Sequence, residues 1–288
     1  MALEAAEQIC NMMVLTPYPG YEGEGFSMPC RNVLPKPLQD PHPKLWMACT
    51  NRDTIKVAAQ NGIGALAFSF IDPEEALHWS KIYYDTIKSD ECVPLGWNVN
   101  ANIAIVSAFS MHEDRAEAIR RGQDNFEFFR YSQQRLVAHD FVPGYSDMWS
   151  DFVAKRGDAS DQLIQAALER SEYDGAGIGT PDDMLRHLKS FQDCGVDQVI
   201  MLQQAGNNSH QNICESLELF AESVMPEFAK DVEEREAAKA AELAPYIEAA
   251  LARKEYMEPL AEEDVPIVRA SVKVAGADNR PSRQDAAD

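Results

Sequence analysis

Basic residues are scarce in this chain. Lys and Arg number 26 against 47 Asp and Glu, a formal net charge of −21 over 288 residues. A surface this acidic repels phosphate backbones, which argues against nucleic-acid binding and is read first as a source of solubility. Long apolar runs are also lacking, and nothing approaches the ~20 residues that cross a bilayer. A cationic leader is missing: Met1 to Cys10 carries two glutamates and no basic residue. The six cysteines (Cys10, Cys30, Cys49, Cys92, Cys194 and Cys214) form no CxxC pair and none stands at zinc-finger spacing from a histidine. They read as reduced, structural thiols of a cytoplasmic protein. No HxH, HExxH or carboxylate cluster supports a metal site, and no Walker loop or nucleophile elbow supports an ATPase or a hydrolase. The glycine string Gly175, Gly177, Gly179 lacks both GxGxxG spacing and a preceding strand, and reads as a hinge. No internal repeat is found.

What is present alternates between short apolar runs and amphipathic segments. Ala2 to Met13 reads as a helix, with Leu3, Ala6, Ile9, Cys10 and Met13 on one face and no capping sequence before it. It looks like a chain that starts inside an element. Pro35 to Pro43 holds four prolines in nine residues, so it is extended. Leu45 to Cys49 is then a short buried strand. Thr50-Asn51-Arg52-Asp53-Thr54 suits a helix N-cap, and the helix stops at Gly62. Ile63 to Phe70 is a second strand. Asp72-Pro73-Glu74-Glu75 opens a helix to about Lys88, with Glu75 placed to complete a capping box. Asn98 to Phe109 is a third strand, followed by a charged helix over Ser110 to Arg130. Thr180-Pro181-Asp182-Asp183 is the clearest helix start. That helix ends at Cys194-Gly195, and Val196 to Leu202 is the fourth strand. A helix over His210 to Phe228 follows, then an Ala/Glu-rich helix over Val232 to Glu258, broken at Pro245. Four strands alternating with helices predict an α/β fold with a parallel sheet.

The order and wording of these segments resemble the C-terminal half of the bacterial luciferase-like flavin-dependent monooxygenases. The matching residues are Val33-Leu34-Pro35-Lys36-Pro37-Leu38-Gln39 with Pro41-His42-Pro43 and Leu45-Trp46. Next come Ala58-Ala59-Gln60-Asn61-Gly62 before Phe68-Ser69-Phe70, and last Gly179-Thr180-Pro181 with Gly195-Val196-Asp197-Gln198-Val199. The likeness covers roughly residues 1 to 230. It implies a (β/α)8 TIM-barrel type, of which about four strands and long C-terminal helices lie in this chain, a partial barrel. Residues 1–230 form the domain, with an insertion over about 131–178. Residues 231–261 are a charged helical extension, and 262–288 a disordered tail.

The resemblance further implies an enzyme, a flavin-dependent monooxygenase that uses reduced FMN and O2 to oxygenate an apolar small organic substrate, with a flavin reductase as the supplier. Deazaflavin F420 is the alternative cofactor, in an oxidoreductase without oxygen insertion. In the luciferases the turn after the fifth strand helps to hold the flavin phosphate. Here that turn is Thr50-Asn51, with Thr54 in the first helical turn; the luciferase pattern has an acidic residue and a serine where Thr50 and Asn51 stand. N-capping alone would also explain these residues, and the two roles can coexist. Strands one to four, with the family's catalytic histidine, have no counterpart here, so no catalytic residue is assigned. The rival reading is a non-catalytic half-barrel subunit that pairs with a complementary chain through open strand edges.

Gln203 and Gln204, with Asn207, end the last strand where barrel enzymes keep ligand contacts. The aromatic stretch Phe126 to Trp149 could form a water-excluding lid, which places His139 and Trp149 on the substrate side. His42 sits in the proline-rich connection; His78, His112, His187 and His210 fall at helical or capping positions, where surface or capping duties are expected.

Overall fold

The computed structural model describes residues 2–67, 71–138, 141–157, 162 and 177–267. Helix α1 is Ala2–Val14, and a small hairpin of β1 (Tyr21–Glu22) and β2 (Ser27–Met28) follows it. Strand β3 (Trp46–Cys49), helix α2 (Arg52–Gln60) and strand β4 (Gly64–Ala67) form one βαβ unit. Helix α2 ends in a Schellman arrangement: Ile63 N–H reaches Ala58 O, and Gly62, at φ +63°, bonds Ala59 O. Helix α3 (Pro73–Ile87) leads to β5 (Ile103–Ala108). Asp72 caps α3 as expected, but Glu75 does not close a capping box. Its carboxylate binds Arg52 and the Trp79 indole instead.

The charged stretch after β5 departs from its expected form. Ser110–Met111 is a two-residue strand, β6, pairing in parallel with β7 (Ile178–Gly179). Helix α4 starts only at Arg115, where the Asp114 side chain accepts from Ala116 N, and it runs to Val137. Ahead of it, the Met111 backbone is engaged by the Ser216 hydroxyl, 105 positions away, on both its N–H and its C=O. Helix α5 (Met148–Arg156) lies within the insertion. Helix α6 (Pro181–Asp193) opens with a full capping box between Thr180 and Asp183, and strand β8 (Gln198–Leu202) follows. The last helices are α7 (His210–Ser223), α8 (Met225–Ala229) and α9 (Val232–Arg253), then a 3-10 turn at Glu262–Asp264. Helix α9 passes through Pro245 unbroken, contrary to the expected interruption.

Strands β3, β4, β5 and β8 form one parallel sheet in that order, with Cys49 beside Ala67, Ala67 beside Ile105 and Ala108 beside Leu202. Among the described residues the sheet has four strands and does not close, as a partial barrel requires. Alternate residues divide its two faces. Cys49, Ala65, Ala67, Ile103 and Ile105 are buried against Ile55, Ala58, Ala59, Trp79, Tyr83 and Phe191 of the helices. On the opposite face of the two edge strands Trp46 is 38% exposed and Ile200 44%. Helix α9 buries Leu243 and Ala250 in the same core as the sheet. Lys239 reaches Asn102 and Asp197, Arg253 donates to the Ser89 and Cys92 carbonyls, and Lys254 binds Glu7 and the Leu95 carbonyl.

Candidate functional site at the carboxyl edge of the sheet

The parallel sheet brings the carboxyl ends of its strands to one edge, where Thr50 follows β3 and Gln203 follows β8. Such an edge is where ligands bind in parallel α/β folds. At the β3 end, Asn51 is the N-cap of α2: its carboxamide oxygen accepts from Thr54 N at 2.9 Å. The Thr54 hydroxyl accepts from Thr50 N (3.1 Å) and Asn51 N (3.2 Å) and donates to Asn51 O (2.8 Å). Thr54 is thus committed to the backbone of the turn. What the turn offers an anion is the Thr50 hydroxyl, the Asn51 NH2 group and the first-turn amides of Arg52 and Asp53, which have no i−4 carbonyl. Thr50 and Asn51 are exposed.

Arg52 was not among the residues singled out in the sequence, yet it is the one cation of this turn. Its guanidinium grips Glu75 with two hydrogen bonds, at 2.8 and 2.6 Å. The pair spans from α2 to α3. Arg52, then Trp79, hold the Glu75 carboxyl well down, to about 2. The only sequence signal was an Arg beside a candidate phosphate turn; its carboxylate partner lies 23 residues away.

Gln203 and Gln204 stand at the other edge strand, about 14 Å across three strand spacings from β3. The structure therefore does not gather the predicted polar residues into one cluster. Gln204 is exposed. The Gln203 carbonyl accepts from the Asn208 side chain, while Gln203 Oε1 and Asn208 Oδ1 are both buried without a hydrogen-bond partner. Both residues line a void of about 10 Å³ with Ala108, Phe109 and Phe126. That is room for roughly one water, whose two protons match two orphan acceptors. Asn207 N donates to Asn125 Oδ1 at 2.8 Å, which pins this loop to α4. Trp149 closes on the same loop, since a Cβ on Gly206 would lie 2.9 Å from its ring. Trp149 also packs edge-on against Phe128 and tilted against Phe152. The loop after β8 and Trp149 are thus neighbours; His139 lies outside the described residues.

The other histidines divide. His78 is exposed, and His112 accepts from Asp114 N. His210 lies 3.5 Å from Cys214 Sγ on α7. His42 is buried and holds two backbones together, bonding Trp97 N and Pro43 O. His187, expected at the surface, is buried instead, with Nε2 2.7 Å from Ser107 Oγ. Burial drops its pKa to about 4. It shares the buried face of α6 with Met184, Leu188 and Phe191, and that face meets Ser107 of β5. All six cysteines are free, and four of them are buried. Among the described residues no group of His, Cys, Asp and Glu could hold a metal ion, and no helix is long and apolar enough to cross a membrane.

No family model matches the chain, and no curated protein does. Solved structures do. The monooxygenase RslO1 from Streptomyces bottropensis aligns at a TM-score of 0.53 with 19% identity, over 78% of this chain and 59% of its own. The coenzyme F420-dependent tetrahydromethanopterin reductase from Methanopyrus kandleri gives 0.53 and 19%, over 78% and 62%. The oxygenating constituent of 3,6-diketocamphane monooxygenase from Pseudomonas putida, in complex with FMN, gives 0.50 and 14%, over 77% and 61%. The chain spans about three-fifths of the length of these structures. They share its fold.

Proposed function

We propose that this chain forms part of a flavin-dependent oxidoreductase of the luciferase-like kind, a monooxygenase acting on an apolar small organic molecule. The fold shared with RslO1 and with the FMN-bound diketocamphane enzyme supports this reading. The observation that carries it is the capped turn Thr50–Thr54 at the carboxyl edge of β3. Reduced FMN is the cofactor we favour, with F420 the alternative that the Methanopyrus structure supports. A separate flavin reductase would supply the reduced cofactor, and the six free cysteines suit a cytoplasmic enzyme.

The cofactor's isoalloxazine would supply the redox chemistry. The residues of this chain bind and orient it. Thr50 and Asn51 donate from their side chains to the phosphate, with the Arg52 and Asp53 amides behind them. Thr54 keeps those donors in place through its three bonds within the turn. Arg52 pairs with Glu75 of α3, so that this carboxylate does not repel an anion at the turn. Gln203 and Gln204 would flank the cofactor or substrate from the far edge and Trp149 would take the substrate side, the role the sequence also suggests for His139, with the aromatic insertion excluding water.

The test is titration of the chain with FMN and with reduced FMN, followed by calorimetry. Binding that weakens about tenfold in the Thr50→Ala/Asn51→Ala double variant, the loss of ~1.4 kcal/mol of phosphate contact, is expected. Equal binding by both proteins would sink the assignment of the turn.

A second reading rests on the two open edges of the sheet and the exposed Trp46 and Ile200. In it the chain is a half-barrel subunit that pairs with a complementary chain or with another copy of itself. Sedimentation equilibrium decides: a stable monomer at micromolar concentration argues against it.

A further inference from the structure

A second concave site lies between α4 and α5. Its volume is about 290 Å³. On α4 the lining positions follow helical spacing, Asp124, Glu127, Arg130 and Tyr131; on α5 they are Phe152, Lys155 and Arg156. Each helix therefore turns one face towards the same space.

The composition of that space is unlike the rest of the chain. Two aromatic rings, Tyr131 and Phe152, meet at 5.5 Å and form an apolar wall. Three cations line it, against two carboxylates, in a protein whose net charge is −21. Not all of the positive charge is spent. Arg156 pairs with Asp124, and Arg130 lies 3.7 Å from Glu127, too far for a hydrogen bond. Lys155 has no carboxylate partner among the described residues; its ammonium stands 5.3 Å from the centre of the Tyr131 ring. The Arg156 guanidinium stands 5.4 Å from the Phe152 ring. Tyr131 Oη and Arg156 Nε are buried donors with no hydrogen-bond partner. Buried donors of this kind ordinarily find an acceptor.

We propose that this pocket binds a small organic anion with a flat apolar body, such as an aromatic carboxylate. The ring lies against Tyr131 and Phe152, and the carboxylate is held by Lys155 and Arg130. The volume suits a ligand of one or two rings and lies near the low end of small-molecule sites, about 300 Å³. Cations over the aromatic wall favour the charged form of the ligand over a neutral isostere. The site is independent of the cofactor turn, which lies on a different strand and helix.

The experiment is calorimetric titration of the whole chain with benzoate and, separately, with benzamide, which has the same ring and no charge. Benzoate binding with a Kd of about 1 mM is expected, at least ~10-fold tighter than benzamide. Lys155 is exposed, so Lys155→Gln leaves the fold intact, which circular dichroism checks. It should weaken benzoate about 10-fold and leave benzamide unchanged. Tyr131→Ala should weaken both ligands. Saturating FMN should leave benzoate affinity unaltered. Equal affinity for the two ligands, an unchanged Lys155→Gln variant, displacement by FMN, or no heat up to ~20 mM benzoate would each overturn the proposal.

Discussion

Ser107 Oγ and His187 Nε2 lie 2.7 Å apart, buried between β5 and α6. Ser107 gives its own proton to Ala108 O, so His187 Nε2 is the donor, and burial favours the neutral ring. Burial holds its pKa near 4, against 6.5 unburied. The unfolded chain therefore binds more protons between these values. The stability tied to this imidazole is fully present above pH 6.5, falls as the pH drops through the window, and is gone below pH 4. Urea unfolding across this range should lose up to about 3 kcal/mol from this group. In His187→Gln the slope over the same window should flatten.

Asp183 has no exposed side-chain surface, and its carboxylate is shared by Arg115, Arg186 and Thr180. Burial pushes its carboxyl up, but Arg115 first, then Thr180 and Arg186, outweigh it and hold it at about 2. Removing Arg115 leaves a buried charge with only the exposed Arg186 as counter-ion. Arg115→Ala should cost about 3 kcal/mol in denaturant unfolding, and Arg186→Ala under about 1.

Thr54 separates the structural role of the Thr50–Thr54 turn from its proposed ligand role. Thr54→Val keeps the shape and removes the hydroxyl that three backbone groups use. It should lower stability by about 1 kcal/mol, as cap losses do. FMN affinity should fall with it only to the extent that the turn loosens, so restoring order by low temperature should recover binding. Thr50→Ala should show the reverse pattern, unaltered stability with weaker FMN.

Gly177 sits at φ +74°, and a Cβ there would fall on the Ala108 carbonyl oxygen. Both the backbone angle and the contact exclude a side chain. Gly177→Ala should lower the unfolding free energy by about 3 kcal/mol. Thermal unfolding checks this, and a variant within ~0.5 kcal/mol of the parent would contradict the close approach.

Strands β3, β4 and β8 were legible because each apolar run is bounded by a cap or a glycine (Asn51, Gly62 with Asp72, and Gly195), and β5 because its run is apolar and buried throughout. These signals act over a few residues, and the local chemistry that writes them also forms the elements. The ladder of β6 and β7 was not legible, since two-residue strands carry no periodicity. The burial of His187 was hidden for another reason: its partner Ser107 is 80 residues away. Arg52 and Glu75 do stand in the first turns of their helices, but Glu75 pairs with Arg52 rather than closing a capping box, and that pairing depends on how α2 and α3 lie together. At the candidate site, the capping geometry of Thr50, Asn51 and Thr54 was legible, whereas the distance of Gln203 from that turn follows only from the sheet order.

Helix α9 sets the order of events during synthesis. The bond from Lys254 to Glu7 spans 247 positions, and Leu243 and Ala250 complete the core beneath the sheet. On the ribosome, Cys49, Ile55 and Tyr83 emerge long before the residues that cover them. Until α9 is released, an apolar layer with unpaired strand edges stands open to solvent. Sealing of the core therefore waits on α9, and until then the chain exposes strands of the kind that chaperones bind.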